Sequence, residues 1–279
     1  MPNHQRIVLH LHHGAANRGL MRKAAEMARL MGLDMFGVFV EDEAVHGLAA
    51  MPFARELRLP SHEWHPIDAD RVAAEFRHAA TTAKRRLDDA AHGMGISCGF
   101  EVRRGNPSGV IADLLTSSDI VVLAEPRLDS DELTQSFLRS WRTATRSDAS
   151  VLLLPPVPMR RRGPVVMLLA AAGQRGVRTA AHIARLAKEP FVLVGPAKQR
   201  GAAAETARSA GVLDEQIRQR DIASITENTL RFVLADQGER LLVLDRDSLI
   251  PEQERAVLRV AAARGTPVLL VGPAADDQV

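Results

Sequence analysis

The chain carries one apolar scheme twice, and strands that are apolar on both faces leave few folds open. Asp119-Ile-Val-Val-Leu-Ala124, a helical stretch and Ser150-Val-Leu-Leu-Leu-Pro155 close the first copy. Arg240-Leu-Leu-Val-Leu-Asp245, another helical stretch and Thr266-Pro-Val-Leu-Leu-Val271 close the second. Upstream, Glu101-Val-Arg-Arg104 and Gln216-Ile-Arg-Gln-Arg220 occupy corresponding places. Each copy also opens on an apolar strand followed by an Ala-rich helix. The repeat of roughly 120 residues is too long for a solenoid unit. A chain of 279 residues has room for about two domains. Strands without polar alternation are covered on both faces. The expectation is therefore α/β: two tandem, doubly wound, five-stranded parallel sheets of Rossmann-like type.

Strand, helix and strand follow one another closely at the start, over residues 6–12, 20–31 and 34–40. Such an order implies a parallel pair with a crossover helix. Residues 41–67 interrupt it with a short apolar helix and three prolines, Pro52, Pro60 and Pro66. A long helix over 68–93, a third strand from Cys98 and a turn at Arg104-Gly-Asn-Pro107 follow. There Pro107 suits the first helical position. Pro155-Pro-Val-Pro158 and Met159-Arg-Arg-Arg-Gly163 mark a stiff, solvated boundary. The sequence thus divides into residues 1–157 with an insertion at 41–67, a linker at 158–163, and a trimmed second copy at 164–279.

Composition removes several function classes. Lys+Arg number 36 against Asp+Glu 34, and aromatics make up only 4%. Neither half is a basic module, so nucleic-acid binding by charge or stacking is not expected. Cys98 is the one cysteine, so an intrachain disulfide is excluded and a reducing, cytoplasmic setting fits. Cys98 reads as a small core residue. No apolar run is long enough to span a bilayer, so a membrane partner is not expected.

The element order, with Arg104-Gly-Asn-Pro107, Asp119-Ile-Val-Val-Leu-Ala124 and Ser150-Val-Leu-Leu-Leu-Pro155, resembles the universal stress protein family. The resemblance covers nearly all of residues 5–157 and, more weakly, 163–273. It implies a tandem bacterial member whose last strands, residues 151–154 and 268–271, pair across a two-fold as an intrachain pseudo-dimer. The family's nucleotide-binding branch has an acid ending the first strand and G-x2-G-x9-G-[ST] after the fourth. Here the first strand ends His12-His13-Gly14, and Glu125-Pro-Arg-Leu-Asp-Ser-Asp-Glu-Leu133 follows Ala124 without glycine. The loop Asp245-Arg-Asp-Ser-Leu249 lacks glycine too. Glycines let backbone N–H groups curl round a phosphate at a helix N-terminus. Acids at these helix starts, Asp129, Asp131, Glu132, Asp247 and Glu252, act instead as caps and dipole partners and repel triphosphate. What remains of an adenine site by the resemblance is Gly14, Val40, Gly105 and Asn106. These are equally ordinary turn and core residues.

Nine of the ten histidines lie in the first half. His10 and His12 share one side of a strand and His13 opens the loop. Strand C-terminal ends are where α/β folds bind ligands, so a zinc site or general base is one reading, with Glu41 or Asp42 as a partner. A hydrogen-bonded core histidine is the other. His62-Glu-Trp-His65 reads as an exposed loop with a Trp anchor.

The favoured expectation is a non-catalytic stress-response or regulatory protein without a cofactor. It would act through a protein partner, with the insertion as its contact surface, and self-association remains open. The alternatives are an ATP- or AMP-binding sensor using the degenerate first-half site, and a metal-binding protein or metal-dependent enzyme using His10, His12 and His13.

Overall fold

The structure, a computed structural model, describes residues 5–11, 18–58, 60, 62–124, 135–170 and 174–273. In the first half the elements are β1 (Arg6–Leu11), α1 (Arg18–Met31), β2 (Asp34–Asp42), α2 (Glu43–Ala49), β3 (Arg55–Arg58), β4 (Glu63–Pro66), α3 (Ala69–His92), β5 (Cys98–Gly105), α4 (Pro107–Leu114), β6 (Asp119–Ala124), α5 (Gln135–Arg146) and β7 (Ser150–Leu154). In the second they are β8 (Val165–Leu168), α6 (Arg175–Ala187), β9 (Phe191–Gly195), α7 (Ala197–Ser209), β10 (Ile217–Asp221), α8 (Glu227–Leu234), β11 (Leu241–Asp245), α9 (Pro251–Arg264) and β12 (Val268–Val271).

Ten strands form one sheet in the order β10-β9-β8-β11-β12-β7-β6-β1-β2-β5. Every neighbouring pair is parallel except β12 and β7, which run antiparallel with Leu269 opposite Leu152. Outward from that central pair, both halves repeat one order: last strand, fourth, first, second, third. The α/β, doubly wound character expected from the sequence holds. The two five-stranded arrays join through β7 and β12 as one continuous sheet.

Alternate residues of each strand feed opposite faces. Ile7, Leu9 and Leu11 belong to the apolar layer that α1, α3, α6 and α7 cover along the sheet, whereas Val8 packs with Ile111 and Leu114 of α4 on the other face. Val243 joins the first layer, while Leu242 and Leu244 meet Leu230 and Val257 of α8 and α9. The strands are apolar throughout because both sides are covered.

Two acids sit where the fourth strand of each half begins, and both are buried. Asp119 accepts from Arg6 Nε at 2.7 Å and from Thr116 N at 2.9 Å. Glu239 is held by Arg264 and by Thr266 Oγ1 at 3.0 Å. Each charge is matched by a cation and further donors, which a buried carboxylate requires.

The insertion is more ordered than its prolines suggest. After α2, β3 and β4 form an antiparallel hairpin with Leu57 opposite Trp64. It is tied down at its base. Arg71 of α3 bridges Glu56 of the hairpin and Glu75, and His46 of α2 stacks on Phe76 with ring centroids 4.8 Å apart.

Candidate ligand crevice and exposed insertion

In a doubly wound sheet the ligand crevice lies beyond the strand C-terminal ends. In the second half this place is filled by the chain's own side chains. Asp245, at the end of β11, accepts a hydrogen bond from Gly176 N at 2.8 Å. Gly176 is in the first turn of α6, so a carboxylate already occupies the positive end of that helix. Arg175 beside it donates to the Gly272 carbonyl at 3.2 Å and to the Ser117 carbonyl at 3.1 Å. Arg246 reaches the Ala149 carbonyl at 3.1 Å, and Ser150 Oγ accepts from Gly272 N at 3.0 Å. Residues that follow the strands of this half are thereby committed to binding the other half. The sequence places Asp247 and Glu252 at the start of α9, and Glu252 lies in its first turn. A further acid, Asp245, sits on an N–H group of a different helix, α6. Its partner is 69 positions away, beyond any local pattern.

In the first half, Asn106 is the cap of α4. Its Oδ1 accepts from Ser108 N at 3.0 Å and Gly109 N at 3.3 Å. Those are the N–H groups an anion would use. Gly105 has φ +152°, and a Cβ there would meet Val110 Cγ2 at 3.0 Å, so glycine is required by the backbone turn itself. Val40 is buried on the α4 face with Val8, Val38 and Ile111, and β2 continues past it to Asp42. The expected positions of Gly14, Asp129, Asp131 and Glu132 lie outside the described residues.

Of the histidines, His10 is placed on β1, alongside Val38 of β2, while His12 and His13 lie outside the described residues. Both carboxylates expected to join them have partners on α2. Glu41 Oε2 lies 3.4 Å from His46 Nε2, and Asp42 Oδ1 caps α2 through Ala44 N at 2.9 Å. His65 lies 3.4 Å from Glu63, and His62 takes positive φ at the hairpin turn. Among the described residues no three His, Cys, Asp or Glu side chains converge as a metal would need. Cys98 packs at the margin of the core, where burial pushes its thiol up to about 11. No helix among the described residues is long and apolar enough to cross a membrane.

The insertion is chemically distinct from the crevice. Phe53 is 78% exposed and Trp64 62% exposed, and Val45, Leu48, Met51 and Leu57 are exposed with them. Large exposed apolar groups concentrated in one segment are a mark of an interaction surface, and Leu57 and Trp64 face each other across the hairpin.

No protein-family model matches the sequence, and no curated protein matches it. Solved structures do. A universal stress protein from Archaeoglobus fulgidus DSM 4304 aligns with TM-score 0.65 at 10% identity, over 97% of both chains. A putative universal stress protein from Pseudomonas aeruginosa UCBPP-PA14 aligns with TM-score 0.55 at 11% identity, over 96% of this chain and 92% of that one. A functionally unknown protein from Pseudomonas aeruginosa PAO1 aligns with TM-score 0.53 at 12% identity, over the same shares. At such identities the likeness is one of fold.

Proposed function

From the universal stress protein fold as premise, we infer that this chain is a tandem, stress-response type regulatory protein that works by binding a protein partner rather than by catalysis. Residues 1–157 and 164–279 are read as two domains paired in one chain as a pseudo-dimer. The repeated strand order on either side of the β7–β12 pair supports that reading. Tight ATP binding is not part of the function. The missing glycines after the fourth strand support its absence, and the Asp245 carboxylate on Gly176 N and the Asn106 amide on Ser108 N and Gly109 N add that neighbouring helix starts are already capped.

One observation carries the proposal: Leu48, Met51, Phe53, Leu57 and Trp64 are all exposed on one insertion, which Arg71 of α3 ties down through Glu56. Large, rigid apolar and aromatic side chains are the usual anchors of protein interfaces.

The test has two arms. A photo-reactive residue at Phe53 or Trp64 in the full chain should crosslink one discrete protein in cells. The same group at Phe232, an exposed position on α8, should not, and Leu48→Glu should abolish the crosslink at Phe53. In parallel, saturating ATP or AMP should leave the melting temperature unchanged, since any ligand of the native state raises it. A nucleotide-dependent rise, or crosslinking at Phe53 no different from Phe232, would overturn the reading.

A further inference from the structure

The outer edges of the ten-stranded sheet are β5 and β10, and they differ in one respect that bears on self-association. In β5 the register against β2 is Met35 opposite Cys98, with Met35 N donating to the Ser97 carbonyl at 3.0 Å. In a parallel ladder that bond turns the N–H and C=O of the odd-numbered residues of β5 toward β2. Those of Phe100, Val102 and Arg104 therefore point to the open edge.

The side chains of this strand are self-complementary about one point. In an antiparallel pairing of β5 with β5 centred on Val102, Val102 faces Val102, and each chain's Glu101 faces Arg103 of the second copy. Phe100 faces Arg104 of the second copy, and Gly99 faces Gly105. No like charges oppose each other. Glu101 and Arg103 already lie 2.7 Å apart within the strand, so pairing would close a square of alternating charge. A guanidinium over an aromatic face adds further attraction. Moving the centre to residue 101 would place two glutamates opposite each other, and moving it to 103 two arginines. Like charges directly opposite are unfavourable, and a centre at Phe100 would set Glu101 against Gly99 and Arg103 against Ser97, so the register at Val102 alone matches both charges with their opposites. The side facing α3 suits the same arrangement. There Phe100 and Val102 border an open groove of about 400 Å³ with Ala80 and Lys84. Val102 is 46% exposed.

The opposite edge lacks this property. Self-pairing of β10 about Gln219 would set Arg218 against Arg220 of the second copy, and four of its five residues are exposed and polar. Charges of that kind protect an edge from further strands.

We propose that two copies of this chain associate through β5, antiparallel about a two-fold at Val102, so that one sheet runs through both. The occupant of the edge is a second copy because the strand complements itself in charge, register and backbone polarity. The contact is isologous and closes at two. It uses main-chain pairing for affinity and the charged square for register. The proposal stands apart from the insertion and its protein partner.

Sedimentation equilibrium of the full chain over a micromolar to submillimolar series should detect a monomer–dimer equilibrium. Val102→Pro removes an N–H that β2 does not use, which an edge strand tolerates. Association should weaken by about tenfold or more. Glu101→Arg, a side-chain change that leaves the backbone intact, should weaken it similarly. Adding Arg103→Glu to that variant should restore it, because the two exchanged charges would again meet their opposites across the two-fold. A monomer at every concentration, a dimer indifferent to Glu101→Arg, or a double variant no better than the single would each overturn the proposal. If Val102→Pro fails to fold by circular dichroism, the charge-exchange pair decides alone.

Discussion

The side-chain carboxylate of Asp245 lies 2.8 Å from the backbone nitrogen of Gly176, across 69 residues of sequence. One contact caps a helix, fixes the end of β11 against α6, and places a negative charge at the positive end of that helix.

Asp245→Ala should therefore destabilise the fold by about 1 kcal/mol, the usual cost of losing a helix cap. It should not create nucleotide binding, since Arg175 and Arg246 still fill the crevice. Urea unfolding measures the first effect, and melting with and without ATP measures the second.

The Arg6–Asp119 pair makes a sharper stability prediction. Asp119 is buried, and Arg6 also lies over the Phe36 ring at 4.4 Å. Arg6→Ala leaves the carboxylate with Thr116 alone and should cost about 3 kcal/mol. Replacing both, Arg6→Met with Asp119→Leu, should cost less than Arg6→Ala, because the unpaired buried charge is gone. Denaturant midpoints at constant slope test the order.

Cys98 predicts an alkaline dependence. Burial raises its thiol from the ordinary 9.0 to about 11. Between those values the unfolded chain has lost the proton and the folded chain keeps it. The native state then binds more protons, so stability falls as pH rises through that window. Cys98→Ala should flatten the decline between about pH 9 and 11. Alkylation of the native thiol should still be accelerating at about pH 10, without a plateau near 9.

Two glycines should respond in opposite directions. Gly163 has φ +132°, and a Cβ there would collide with the Gly238 carbonyl oxygen. Gly163→Ala should cost about 2 kcal/mol or more through overpacking and strain. Gly201, inside α7, has open space where a Cβ would go. Gly201→Ala should stabilise by about 0.8 kcal/mol through helix propensity. Melting temperatures of both variants settle the signs.

The repeated strands were legible because burial on both faces leaves an unbroken apolar signature, as in Val121, Val122 and Leu123 or Leu242, Val243 and Leu244. The β3–β4 hairpin was not legible. Among the described side chains of Arg-Glu-Leu-Arg and Glu-Trp-His-Pro none is buried, so no apolar alternation marks the strands, and the anchor is an ion pair from α3. The start of α8 carries a local signal of a different kind. The helix begins after Thr226, whose hydroxyl and that of Thr229 cap it reciprocally. In the crevice, sequence distance hid the pairing of Asp245 with Gly176. Asn106 was visible as a turn residue, and its amide caps α4.

The antiparallel meeting of β7 and β12 also sets a problem of timing. On the ribosome, β7 emerges with every residue destined for burial, yet its neighbour β12 begins about 115 residues later. At about 5–20 residues per second, Ser150-Val-Leu-Leu-Leu154 waits on the order of ten seconds as a bare, uncharged edge, the kind that templates aggregation. The proline-rich segment Pro155-Pro-Val-Pro158 follows directly, and proline, lacking an N–H, cannot extend that bare edge as a further paired strand.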